Sequence, residues 1–160
     1  MKPFHETQRM TQWWLWLMLS GVAGIWVWGI VQQIGLGEPF GDKPMSDAGL
    51  LLSALLPLGL LGFFRLLTLR TTVDERGIRI SYRPLWRTQL RWDEIQDVRL
   101  ETYSRFIGYG IRFTGTYGTV YNAKGNQGLL IRKKNGSRLM IGTQQPDALL
   151  LAVRTYLDAR

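Results

Sequence analysis

Two adjacent carboxylate pairs, Asp74-Glu75 and Asp93-Glu94, are the residues of this 160-residue chain whose types could support acid–base chemistry. Such chemistry needs two acids facing one reacting group with their pKa values held apart. Neighbouring residues in a strand or turn point in different directions, and both pairs lie at turn signals, so turn formation accounts for them better than catalysis. The chain has no cysteine, which excludes disulfides, thiolate metal sites and a cysteine nucleophile. Its single histidine, His5, lies in a short polar N-terminal segment, too little for a histidine metal cluster and a poor start for a Ser-His-Asp triad. Glycines at 108–110 (GYG) and 115–118 (GTYG) lack the Gly-Lys-Ser/Thr step of a phosphate loop. Tyr103, Phe106, Tyr109, Tyr117 and Tyr121 surround those loops, where core packing explains them as well as a pocket would. No catalytic residue, metal site or cofactor is expected.

Basic side chains carry the stronger signal. The formal net charge is +8, and all of it resides in residues 70–160, which hold sixteen basic and eight acidic side chains. Arg132, Lys133, Lys134 and Arg138 crowd one expected hairpin tip, and Trp86 with Arg87 marks another turn. Each cation near an anionic leaflet contributes about 1 kcal/mol within a Debye length. These six residues are the expected contacts for anionic lipid or a protein partner, with the Trp86 ring at the acyl boundary. A basic face also suits nucleic acid, the competing reading.

The elements that must position these residues fall into two unlike halves. Residues 13–31 (WWLWLMLSGVAGIWVWGIV) form a charge-free run with tryptophans at both ends. As a helix it is about 28 Å long, close to the roughly 30 Å hydrocarbon core of a bilayer, and its tryptophans resemble two interfacial belts. A cleaved signal peptide is disfavoured because the run continues past residues 20–24 (SGVAG), beyond the usual length of such a segment. A second run, 48–67, is Leu-rich with Pro57 mid-span, a kink that a neighbouring helix can cover. Small residues on both runs favour close approach, so 13–69 is expected to be a transmembrane helical hairpin. Its loop, 32–47, holds one lysine and three acids, whereas 1–12 and the exit of the second run are basic. The positive-inside rule therefore puts both termini in the cytoplasm and the loop outside.

From Thr71 onward the period changes to two: Ile78, Ile80 and Tyr82 alternate with Arg79, Ser81 and Arg83, and Val98 and Leu100 with Arg99 and Glu101. Alternation of this kind predicts half-buried antiparallel strands, and Asn135-Gly136 predicts a type I′ hairpin with φ above zero at both residues. Gln145-Pro146-Asp147 opens a helix over 148–157, with Leu150, Val153 and Leu157 as its apolar stripe. Residues 70–160 are thus expected to be a small antiparallel β-barrel or sandwich of six or seven strands, plugged by a C-terminal helix.

That order, with the segments 72–78 (TVDERGI), 90–98 (LRWDEIQDV), 128–131 (GLLI), Asn135-Gly136, 141–143 (IGT) and Gln145-Pro146, resembles the bacterial pleckstrin-homology-like domain family over residues 69–157. The resemblance implies a membrane-anchored bacterial protein in which the domain follows two membrane helices, and it implies no catalytic residues. Arg79 and Arg83 only hint at the spaced basic phosphoinositide motif of lipid-binding eukaryotic members. The linker between the second helix and the first strand is short and would hold the domain against the bilayer, which disfavours nucleic acid. The expectation is a multi-pass inner-membrane protein, a non-catalytic interaction or scaffold module that binds a protein partner or anionic lipid. The alternative is a structural subunit, such as a homo-oligomer, that assembles through its helices without a ligand.

Overall fold

The computed structural model describes residues 3–104 and 108–159. The chain divides into two units: Thr11–Leu66, which is helical, and Met1–Met10 together with Leu67–Arg160, which is mostly β. Phe106, one of the aromatics noted above, lies outside the described residues.

In the helical unit, α1 spans Trp13–Ile30 and ends in a π-helical turn, Val31–Gly35. A loop leads to α2, Asp47–Leu66, which contains Pro57. Both match the expected runs to within a residue or two. The helices pack through Leu15, Leu19 and Ala23 on α1 and Leu50, Ala54 and Pro57 on α2, positions three or four apart that form one stripe on each helix. Trp26 Nε1 donates to Ser53 Oγ at 2.9 Å, and the same hydroxyl donates to Leu50 O. Outside that seam the apolar side chains stand free: Trp13 is 75% exposed and Leu56 72%. Both helices are long and apolar enough to cross a membrane.

The β unit is built from two sheets. The four-stranded sheet has the order β1 (Phe4–Arg9), β2 (Thr68–Asp74), β3 (Gly77–Arg83) and β4 (Trp86–Leu90), antiparallel throughout. The other sheet has the order β5-β8-β9-β7-β6, from β5 (Ile95–Thr102), β6 (Gly110–Thr114), β7 (Gly118–Asn122), β8 (Gln127–Lys133) and β9 (Arg138–Gly142). Its pairs are antiparallel except β7 with β9, which run parallel. A 3₁₀ turn, Trp92–Glu94, carries the chain from one sheet to the other, with Arg91 N–H donating to Glu94 Oε2.

This arrangement is sandwich-like, so of the expected barrel or sandwich the structure has the second and not a closed barrel. Among the described residues no ladder joins the two sheets, and the 3₁₀ turn breaks the strand path between β4 and β5 where a barrel needs continuous pairing. The strand count also exceeds the expected six or seven: among the described residues there are nine, and one comes from in front of the helices. β1 pairs with β2 from Phe4↔Val73 to Arg9↔Thr68. Its inward side chains are polar: Gln8 Nε2 donates to Gly142 O at 2.7 Å, and Glu6 accepts from Thr143 Oγ1 and from Gln144 N–H.

Val73, Ile78, Ile80, Tyr82 and Leu90 of the first sheet and Leu129, Ile131 and Ile141 of the second are almost fully buried. Each such side chain contributes roughly 1.5–3 kcal/mol. α3, Pro146–Asp158, touches β1, β2, β5 and β8 and buries Leu149, Val153 and Tyr156. Its stripe is therefore rotated by about one residue from the expected Leu150, Val153 and Leu157. Tyr156 is on the buried side, where it stacks on Trp92 with centroids 5.5 Å apart. Tyr103, Val120, Leu130 and Met140 form a satellite core on the second sheet, with Tyr117 packed on it.

The Asn135-Gly136 hairpin forms, with a turn type different from the expected one. Gly136 N–H donates to Lys133 O and Lys133 N–H to Ser137 O, while among the described residues only glycines have positive φ, Gly136 at +83° included. That is a three-residue loop, a type I turn followed by a left-handed glycine, with no need for positive φ at Asn135.

Candidate anion-binding surface

The expected basic tip lies on the β8–β9 hairpin. Arg132 and Arg138 are register partners, and Lys133 and Lys134 run into the turn. One carboxylate, Asp97, stands beside it as the register partner of Arg132. Lys134 N–H donates to Glu94 O, and a shallow cavity of about 90 Å³ beside Arg132 and Arg138 is lined by Asp97 as well. Arg138 spends one guanidinium N–H on Thr116 O at 2.7 Å. Four cations are present, yet Asp97 partly compensates them, and the larger cavity at this tip, about 510 Å³, holds only Arg138 among them.

Trp86 and Arg87 begin β4, away from that tip, which sits beside the connection leaving the far end of β4. The two expected contact points are therefore not brought together. Trp86 and Arg87 also part from each other, since consecutive strand residues face opposite ways. Trp86 stands opposite Tyr82 and shares its core side, though at the rim it remains 57% exposed. Burial pushes the Tyr121 hydroxyl above the usual phenol value, and its hydrogen bond with the Trp86 side chain opposes that rise. Leu85, in the turn before it, is exposed too.

Arg87 belongs to a constellation visible only once register is known. Arg70 on β2 pairs with Ser81 on β3, and Ser81 pairs with Arg87 on β4. The next row toward the β3–β4 turn places Thr68 opposite both Arg9 and Arg83. In the other direction Thr72 pairs with Arg79, and Arg79 with Gln89. All of these project from the outer face, opposite the buried Ile78, Ile80 and Tyr82. Arg79 is tied to Asp74 by a salt bridge, whereas Arg9, Arg70, Arg83 and Arg87 make no ion pair among the described residues. The arginines are thus unequal: those nearest the chain's passage to the helices are uncompensated, and the one at the far end is neutralised.

Among the described residues no cluster of three or more His, Cys, Asp or Glu is placed to hold a metal. The pairs Asp74-Glu75 and Asp93-Glu94 are engaged locally. Asp74 accepts from Arg76 N–H as well as Arg79, and Asp93 is 3.0 Å from Arg91. No protein-family model and no curated protein matches this chain.

Proposed function

We propose that the protein is a two-helix membrane anchor carrying a cytoplasmic, pleckstrin-homology-like interaction module at a bacterial inner membrane, with no catalysis of its own. The observation that carries this reading is connectivity within the β unit. The chain leaves that unit after β1 and rejoins it at β2, and the residues at the two crossing points, Arg9 and Thr68, are register partners. A membrane segment inserted there must return the chain to the side it left, so two crossings fit and one does not. The exposed apolar faces of α1 and α2 support a lipid environment, because such surface in water would drive aggregation. Acids predominate in the loop over 32–47 and cations in the β unit, and this supports a cytoplasmic β unit.

The order of two sheets and a closing C-terminal helix supports the family resemblance; β1 stands outside it, since it precedes the helices. Only Leu67 separates α2 from β2, so the module works close to the leaflet. There Leu85, Trp86 and the uncompensated arginines are suited to anionic headgroups or an acidic partner. Reporter fusions give the test. A phosphatase inserted at Gly41 should be active and one after Arg160 inactive, with the pattern reversed for a cytoplasmic reporter. An active phosphatase after Arg160 would overturn the orientation, and release of the full chain by carbonate would overturn the anchor.

A further inference from the structure

We infer that the outer face of the four-stranded sheet is a phosphoryl-binding cleft, with Arg70, Arg83 and Arg87 as its cations and Ser81 as a neutral donor at its floor. These side chains line a cavity of about 470 Å³. Neighbouring strands are about 4.8 Å apart, so Arg70 and Arg87 flank Ser81 closely enough for both guanidinium groups to converge above it. Arg83 reaches the same space from two residues further along β3.

Three features of the cleft specify its ligand. First, no carboxylate lines it, and its three uncompensated cations sit side by side, an arrangement that costs energy until an anion enters. Secondly, Ser81 Oγ is buried without a hydrogen-bond partner, so a ligand oxygen would satisfy a group that now has none. Thirdly, guanidinium forks bind tetrahedral oxyanions in a bidentate manner, and three of them with a hydroxyl outnumber the two oxygens of a carboxylate. A phosphomonoester dianion meets this demand for charge and acceptors. No aromatic ring lines the cleft to stack a base, so the phosphoryl group is the recognised element and a nucleobase is not. The inference deepens the preceding reading, because anchoring decides the ligand's source: a lipid headgroup or a soluble phosphorylated molecule.

The test uses the full chain in phosphatidylcholine nanodiscs, titrated calorimetrically with inorganic phosphate, glycerol 3-phosphate and water-soluble dihexanoyl phosphatidic acid. All three should bind, and the neutral dihexanoyl phosphatidylcholine should not. Equal affinity for glycerol 3-phosphate and the short lipid assigns a soluble ligand, and tighter binding of the lipid assigns a headgroup. Arg70→Gln, Arg83→Gln and Arg87→Gln should each weaken binding about tenfold, the usual value of one charge-assisted hydrogen bond. Arg154→Gln, on the exposed side of α3, should leave it unchanged. Failure of all three phosphates to bind, or binding indifferent to the cleft substitutions, overturns the inference. A wrong membrane topology is read separately by the reporter fusions, and phosphate binding at this cleft would survive it.

Discussion

The two units of this chain use apolar residues in opposite ways. In the helical unit they face outward, with Trp28 60% exposed and Leu52 and Leu55 similarly bare, and the seam between helices is made by a few small or medium side chains. In the β unit the apolar residues turn inward, and Leu69, Val73, Ile78, Leu129 and Ile141 are all but inaccessible. Polar groups follow the reverse rule. Glu6 and Gln8 are buried and hydrogen-bonded in the β unit, and the outer sheet face is given to arginine. The burial pattern separates the two units more directly than hydropathy does.

The strongest attempt to break this comparison is to separate the units. Because Arg9 and Thr68 are paired, residues 11–66 can be replaced by a short Asn-Gly turn between Met10 and Leu67. The excised protein should be soluble, β-rich and cooperative in urea, an all-or-none change from the membrane fraction. A fragment beginning at Leu67 lacks β1, and with it the partners of Gly142 O and Thr143, and should fail to give a cooperative transition. If the excised protein aggregates and the fragment folds, the β unit has been wrongly bounded.

Glycine substitutions should sharpen the contrast at the next level. A Cβ on Gly77, whose φ is +132°, would lie 2.1 Å from Leu90 O. Gly77→Val in the excised protein should cost about 3 kcal/mol, read as a shifted urea midpoint at constant slope. In the helical unit, a Cβ at Gly21 meets nothing within 4 Å. There Gly21→Ala should be neutral or stabilise by up to about 1 kcal/mol in a steric-trap or unfolding assay of the full chain. Equal losses at both positions would mean that α1 is packed as densely as the sheets.

The legible parts of the fold were those in which one physical signal sufficed. Apolar length placed both helices, alternation placed β3 and β5, and proline with an acid placed the start of α3. β1 carries no apolar alternation, because its inward positions are Glu6 and Gln8. The barrel expectation failed at the Trp92–Glu94 corner, where a short 3₁₀ turn reads as ordinary strand-plus-turn sequence. Site residues split in the same way. A local cluster such as Arg132, Lys133, Lys134 and Arg138 is visible in the chain, but its compensation by Asp97 is not. The convergence of Arg70, Ser81 and Arg87 comes from register across three strands, which no window along the sequence contains.

The assignment of β1 to the β unit can be tested with a smaller perturbation. Glu6→Ala leaves Thr143 Oγ1 and the Gln144 N–H without the carboxyl oxygens they now meet at 2.5 and 2.7 Å. The expected loss is about 1–3 kcal/mol, because Thr143 stays buried and the Gln144 N–H partly so. Thr143→Val in the same background should cost less than it does alone, since the bond to Glu6 is already gone and only the acceptance from Gln145 N–H remains to be lost. Full additivity of the two losses would show that Glu6 and Thr143 act independently.

The smallest effect concerns Tyr82, whose ring fills the β core and whose hydroxyl has no partner among the described residues. Burial pushes its hydroxyl up to about 12, because the phenolate would lose its hydration. The unfolded chain ionises near pH 10, so native Tyr82 keeps its proton while unfolded Tyr82 loses it. Its contribution is fully present below pH 10 and is lost as pH rises from about 10 to about 12. Tyr82→Phe should change the urea midpoint at pH 8 by less than about 0.5 kcal/mol, because no hydrogen bond is surrendered. At pH 11 the variant should be the more stable of the two. A residual decline will persist in it, since burial raises Tyr103 and Tyr121 as well. A large loss at pH 8 would reveal a partner for the hydroxyl, and an unchanged gap between pH 8 and pH 11 would place Tyr82 in contact with water. Either result would weaken the claim that this face is as dry as the helical unit's outer surface is bare.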